Sequence, residues 1–438
     1  MRRLAGAMLV VAGVCAASSA ARAQSIDIPL GFVLENTTDR NGPVLTINVG
    51  IGGAAPQTYF FDTGSSFFVA NAMSGAFGNV STSASPALTG LKSSYADGVV
   101  FTYNLVGVPS LTFYPSSTST SGGITVNAVS PAGSPSQFLI GAITSSTTTF
   151  PEGALPGVFG GDQGIFGASA FLSSLVGNGM GPSKGPGSPL GQAVIPGTTA
   201  GYVVAANGQP LSAINGGNVG PYQSYVSSPN GPQVGQNVTS CSPCVMLGLT
   251  PALTAQFMPA NVFASRHDPA DGNFANSGTP ASFENAPLLN ITSSAPGQSA
   301  VTVSSRTLLD SGTSFYFLSN AIPTANYANG GTLTISSPAS GSTPSTVTLL
   351  NSNDPATCCN PYYALSSNDI SEGTESVVGL PFFLNNSILF NLAGQAQGYT
   401  SNFVTDINIT TTPSSPLIID SSSVPLGLAG VIDRKSVV

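Results

Sequence analysis

The feature that most constrains this chain is a strand that ends in an acid and a glycine turn, because it occurs twice. Near position 62 the apolar stretch TYFF runs into Asp62-Thr63-Gly64-Ser65-Ser66, and near position 310 the stretch RTLL runs into Asp310-Ser311-Gly312-Thr313-Ser314. Only 6% of the residues are charged, so a carboxylate placed twice at the end of an apolar strand stands out from its background. Each turn is followed later by an apolar-apolar-glycine segment, Ile165-Phe166-Gly167 after the first and Val377-Val378-Gly379 after the second. A duplication at this level predicts two similar lobes.

The residue types in the turn have definite physical uses. Thr63 and Ser311 can point away from a cleft and bond the opposite lobe. Gly64 and Gly312 carry no Cβ and so admit a neighbouring backbone. Ser65 and Thr313 can donate to the adjacent carboxylate and hold its orientation. The apolar-apolar-glycine strand can pass beneath the turn where its glycine leaves room. Two such turns meeting across a two-fold axis bring two carboxylates together. Like charges that close do not both ionise readily, so one proton is shared over the pair. One carboxylate then serves as base toward a water and the other as acid toward a carbonyl. That chemistry hydrolyses a peptide bond with neither metal nor histidine.

The rest of the chain narrows the field. Among 438 residues there are 51 Gly and 34 Pro, which punctuate strand-like segments and point to an all-β protein. Ten basic residues against 18 acidic ones, a net charge of −8, do not suit nucleic acid. A surface of hydroxyls and amides rather than carboxylates loses little on acidification, which fits an acidic working environment. His267 is the sole histidine and sits in turn-like sequence, RHDPADG. A His-dependent hydrolase would have to use it, yet no G-x-S-x-G accompanies it, and a His/Cys zinc site lacks ligands. A calcium site at Asp268 and Asp271 has only weak support. No phosphate-binding glycine fingerprint opens a helix, and no metal or cofactor is expected.

The N-terminus reads as an export signal over residues 1–23: Arg2 and Arg3, an apolar run, then Ala21-Arg22-Ala23. The mature chain is expected to be exported, periplasmic or extracellular, monomeric and without a membrane span; the apolar run 424–432 is too short to cross a bilayer. Four cysteines follow the signal, Cys241, Cys244, Cys358 and Cys359; in an exported chain they read as two disulfides of open connectivity.

Asp62-Thr63-Gly64-Ser65-Ser66, Asp310-Ser311-Gly312-Thr313-Ser314, Gly164-Ile165-Phe166-Gly167 and Val377-Val378-Gly379, in this order, resemble the pepsin-like aspartic protease family. The likeness extends to the strands leading into Asp62 and to the segment VVGLPFFLNNSILFNLAGQAQGYTSNF, and so runs through most of the mature chain. It implies an all-β, bilobal pepsin-like fold with a central cleft: an N-terminal lobe over 24–210, a Gly/Pro/Ser-rich junction over 211–240, a C-terminal lobe over 241–425 and a tail over 426–438. It implies an aspartic endopeptidase acting on polypeptides, with Asp62 and Asp310 activating a water and a preference for large apolar side chains beside the scissile bond. It also implies a flap hairpin with Tyr95 over the cleft and a turn at Asp97-Gly98; Tyr103 is the competing tyrosine. Phe138, Ile140 and Phe166 are pocket candidates, each equally readable as core strand.

The chain also departs from the family. It has no tryptophan, so no indole can bond the flap tyrosine, and Phe68 is the residue expected in that space. Leu380 stands where the family commonly has an acid. The stretch before the first matching strand is short and mildly acidic rather than a basic pro-segment, so pH alone is expected to gate activity. With the export signal and low charge, this points to a bacterial protein. Three rivals remain: a weak or inactive pepsin-fold binding or inhibitor protein, a structural β protein without a cleft, and a carboxylate-pair glycosidase, which needs a wider separation of acids.

Overall fold

The structure is a computed structural model that describes residues 25–206, 243–264, 286–348 and 362–403, apart from 37–40, 73–74, 82–87, 95–99, 129–136, 148–162, 171–173, 176–182, 185–186, 194, 314–315, 320, 324–325, 327–330, 365–375 and 402. Strands dominate. The described α-helices are single short turns, Pro189–Gln192, Pro251–Thr254 and Leu380–Asn385. No described helix is long and apolar enough to cross a membrane.

The duplication seen in the motifs extends through two whole sheets. In the first half, Gln57–Asp62 lies parallel to Gly164–Gly167, which is antiparallel to Phe68–Asn71, which is parallel to Phe138–Thr147. In the second half, Val301–Leu309 lies parallel to Ser376–Val378, which is antiparallel to Tyr316–Leu318, which is parallel to Tyr362–Ala364. On the other side of each acid-bearing strand come three more antiparallel partners. These are Asn41–Ile51, Ser110–Tyr114 and Ile124–Asn127 in the first half. In the second half they are Leu288–Ser294, Thr332–Ser336 and Ser345–Thr348. The seven strands of each set therefore share one order in space, one order along the chain and one set of directions. The first sheet adds an edge hairpin, Leu88–Ser94 with Val100–Val108, that the second lacks among the described residues.

A six-stranded antiparallel sheet joins the halves. Its order is Ile26–Pro29, Cys244–Leu249, Thr199–Ala205, Ser387–Asn391, Ala396–Thr400 and Val262–Ala264. The two strands from before the junction, Ile26–Pro29 and Thr199–Ala205, both pair with strands from after it, and the lobes are tied by backbone hydrogen bonds. Strand alternation sorts its side chains to two faces. Tyr202, Val204, Val245, Leu247, Ile388 and Phe390 face the main core. Val203, Ala205, Cys244, Met246 and Leu389 form a second cluster on the far face with Leu253 and Phe257. The strands around the first acid are buried on both sides: the four residues from Tyr59 to Asp62 are all buried, as is Gly164–Gly167, whereas Val301–Leu309 alternates. Burial on both sides is why the first two read as continuous apolar runs.

Candidate active site

Asp62 is the last residue of its strand, and Asp310 follows the last residue of its own. Both turns close in the same way: the Ser65 N–H donates to the Asp62 carbonyl at 3.4 Å, and the Thr313 N–H to the Asp310 carbonyl at 3.2 Å. Both carboxylates then receive matched donors. The Gly64 N–H reaches Asp62 Oδ1 at 2.7 Å and the Ser65 hydroxyl bonds Asp62 Oδ2. The Gly312 N–H reaches Asp310 Oδ1 at 2.8 Å, and the Thr313 hydroxyl reaches Asp310 Oδ2 at 2.6 Å.

The second turn residues hold the lobes against each other. Thr63 Oγ1 donates to the Leu309 carbonyl at 2.8 Å and accepts the Ser311 N–H at 2.9 Å. In the reverse direction, Ser311 Oγ donates to the Phe61 carbonyl at 3.2 Å and accepts the Thr63 N–H at 3.1 Å. Both side chains are wholly buried. This is the cross-lobe bonding expected of the hydroxyls in the two motifs.

The turn glycines work differently from the expectation of a neighbouring backbone. What fills the space at each is the opposite acid. A Cβ on Gly64 would lie 2.6 Å from Asp310 Cγ, and one on Gly312 would lie 2.5 Å from Asp62 Cγ. The two carboxyls stand within hydrogen-bonding reach of each other. Beneath the first turn, a Cβ on Gly167 would lie 2.4 Å from the Phe67 carbonyl oxygen, so the strand passes there only as glycine. The Ala168 N–H then donates to the Asp62 carbonyl at 2.7 Å and the Ser169 N–H to the Ser65 carbonyl at 2.9 Å. Beneath the second turn, the Asp310 N–H donates to the Val378 carbonyl at 3.0 Å and the Leu380 N–H to the Thr313 carbonyl at 2.7 Å.

The acids are alike in partners and unlike in exposure. Asp62 is buried, at 8% relative exposure, and Asp310 is half-buried. Burial first, then the charge of Asp310 and the hydrogen bond to it, push the Asp62 carboxyl well above the ordinary aspartate value; the Ser65 and Gly64 donors pull it back in part.

Several expected site residues lie elsewhere. Phe138, Ile140 and Phe166 belong to the core, not to a pocket wall: all three are buried, and the Phe166 ring sits against Phe68 at 4.9 Å and Phe113 at 6.0 Å. Phe68, too, is a core residue. It packs edge-on against Tyr59 at 4.8 Å inside the core. Tyr103 is a strand residue, with its hydroxyl 3.2 Å from Ser93 Oγ and its ring 5.2 Å from that of Phe67. Burial pushes its phenol up to about 12. Tyr95 and Gly98 lie outside the described residues, as do His267, Cys241, Cys358 and Cys359. Cys244 is buried at the start of its strand. Leu380 opens a short helix, and its own N–H grips the second turn. Tyr202, absent from any motif, donates its hydroxyl to the Ala168 carbonyl beside the first turn. Among the described residues no three His, Cys, Asp or Glu side chains cluster as a metal site.

Comparison with protein-family models and with curated proteins finds no match. Among solved structures, the chain is similar to an aspartic proteinase from Irpex lacteus, at 14% identity over 87% of this chain and 99% of that one, with a TM-score of 0.48. It is also similar to Basic 7S globulin from soybean, at 11% identity over 85% and 97% of the respective chains, with a TM-score of 0.45. The repeated seven-strand order and the mirrored turns, rather than these likenesses, define the all-β bilobal pepsin-like fold.

Proposed function

We propose that this chain is an aspartic endopeptidase that hydrolyses polypeptides at acidic pH through a water held between Asp62 and Asp310. The observation that supports it best is the mutual approach of two carboxyls, each fixed by one backbone and one hydroxyl donor. Asp62, the more buried, keeps the shared proton, and Asp310 is the base. The Asp310 carboxylate takes a proton from the water as its oxygen attacks the peptide carbonyl carbon. Asp62 gives its proton to the carbonyl oxygen, and a tetrahedral diol forms. Collapse of the diol expels the amine, which takes the proton from Asp310, while Asp62 takes one from a diol hydroxyl, so the carboxylic acid product forms and both acids return to their starting states. In this reading Ser65, Thr313 and the N–H groups of Gly64 and Gly312 orient the carboxyls, and Tyr95 on the hairpin covers the substrate.

The protein works outside the cytoplasm as a monomer, its late cysteines paired in disulfides. Its activity is gated by pH. The test is cleavage of acid-unfolded casein or haemoglobin by the wild type and by Asp62→Asn. Hydrolysis that a statine-type inhibitor blocks, and that the variant loses by at least about a thousandfold, supports the reading. A wild type that binds the inhibitor without cleaving any substrate at any pH from 2 to 7 makes this a pepsin-fold binding protein instead.

A further inference from the structure

We infer that Tyr202 is a positioning residue for Asp62, acting from the sheet that joins the lobes through a relay of hydrogen bonds. The inference deepens the proposed activity and rests on that reading of the dyad. Tyr202 lies in the strand Thr199–Ala205, wholly buried, with its ring stacked on Phe390 at 4.8 Å and 20°. Phe390 belongs to Ser387–Asn391, from the other half of the chain, so the phenol is clamped by both halves. Its hydroxyl donates to the Ala168 carbonyl. The N–H of the same peptide unit, that of Ser169, donates to the Ser65 carbonyl at 2.9 Å. The Ser65 hydroxyl in turn donates to Asp62 Oδ2.

A donor on a peptide oxygen polarises that peptide and strengthens its N–H, so Tyr202 tightens the Ser169 bond that holds the Ser65 carbonyl, and with it the backbone from which the Ser65 hydroxyl is aimed at Asp62. Burial raises the Tyr202 phenol well above its ordinary value, so it remains a donor at every working pH. The second turn is backed otherwise. There the Gly379–Leu380 peptide grips the Thr313 carbonyl, and the Gly379 carbonyl is taken by the Phe382 N–H of the following helix at 3.0 Å. The first turn is thus tied to the joining sheet by a side-chain bond, where a helix backbone supplies the corresponding bond at the second.

Two variants test this. Tyr202→Phe keeps the stacked ring and removes the donor. With acid-unfolded casein as substrate, kcat falls about fivefold and KM changes less than twofold, the loss of one net hydrogen bond felt after binding. In the protein labelled with carbon-13 at aspartate carboxyls, the Asp62 titration, assigned by its absence in Asp62→Asn, moves to higher pH, because a weaker Ser65 donor favours the ionised form less. 3-Fluorotyrosine placed at position 202 keeps the shape and strengthens the donor, and the titration moves to lower pH. Tyr59→Phe, which removes a buried hydroxyl three residues before Asp62, leaves kcat, KM and the titration as in the wild type. Wild-type kinetics and an unmoved Asp62 titration in both position-202 variants overturn the inference. An equal effect from Tyr59→Phe also overturns it, since any core phenol would then do. The titration needs no turnover, so a wild type without protease activity defeats the proposed function and leaves this test standing.

Discussion

The two acid turns have the same backbone and the same donors, and differ in what stands behind them. Each carboxyl receives a glycine N–H and a hydroxyl, and each second residue crosses to the other lobe. Behind the first turn lies an aromatic cluster, Phe61, Phe166, Phe68 and Phe113, and a peptide bonded by Tyr202. Behind the second lies the helix Leu380–Asn385, whose backbone supplies the corresponding bond. Duplicated geometry therefore does not give duplicated electrostatics. Burial, then the charge of Asp310, holds the Asp62 carboxyl well above the ordinary aspartate value, although its donors match those of its partner.

The symmetric part of this comparison breaks with the largest effects. Gly64→Ala and Gly312→Ala each drive a methyl group to within 2.6 Å of the opposite carboxyl. Neither acid can retreat without losing its donors, so each variant loses at least about a thousandfold in kcat/KM, and the two losses match within about tenfold. One glycine replaced without loss, as measured by casein hydrolysis, would show that the acids need not meet. Next come the cross-lobe hydroxyls. Thr63→Val removes the hydroxyl that bonds the buried Ser311 N–H and the Leu309 carbonyl, while Ser311→Ala removes the one that bonds the Thr63 N–H and the Phe61 carbonyl. Each costs about 3 kcal/mol in denaturant unfolding, equally within about 1 kcal/mol. A marked inequality would mean that one lobe carries the joint.

What the sequence could reveal follows the range of the interactions. The acid, the hydroxyl donors and the glycines are legible because a turn is built by near neighbours, and its donors lie two and three residues from the acid. The apolar-apolar-glycine signal is legible because only glycine fits over Phe67. The matched seven-strand order is not legible beyond its motifs, since strand pairing joins segments as remote as Ile165 and Phe60. Phe138 and Ile140 mislead because alternation marks one face of a strand without saying whether core or cleft lies against it. Tyr202 gives no local signal at all; its partner is 34 residues away, in a segment that reads as a loop.

The joining sheet supplies a smaller, pH-dependent effect. Asp27 lies in the edge strand Ile26–Pro29 opposite Met246, one of its oxygens buried without a partner, and burial lifts its carboxyl to about 6. A carboxyl raised in the folded state stabilises the fold below its ordinary value of 3.8 and loses that contribution as pH rises through about 6. Wild-type stability therefore falls by about 2 kcal/mol between pH 3.5 and pH 7 on this account. Asp27→Asn removes that part of the slope, matching wild type at pH 3.5 and exceeding it at pH 7 in thermal melts. An unchanged slope would place the pH response in the dyad, where Asp62 has the same sign.

The smallest effect compares the lobes at a buried phenol in each. Tyr59, in the strand leading to Asp62, and Tyr316, in the strand leaving Asp310, are wholly buried, and each hydroxyl lacks a hydrogen-bond partner. Tyr316 occupies the place in the second unit that Phe68 holds in the first, six residues after the acid, so the first lobe shows that a phenylalanine fits there. An unsatisfied buried hydroxyl costs its desolvation, and removing the oxygen leaves a gap of little more than one atom. Tyr59→Phe and Tyr316→Phe are thus each expected to stabilise the protein by about 1 kcal/mol, a rise in Tm of about 2 °C. Tyr202→Phe, whose hydroxyl is bonded, should go the other way by a similar amount. If all three change stability with the same sign, the distinction between a bonded and an orphaned phenol in this core has no energetic meaning.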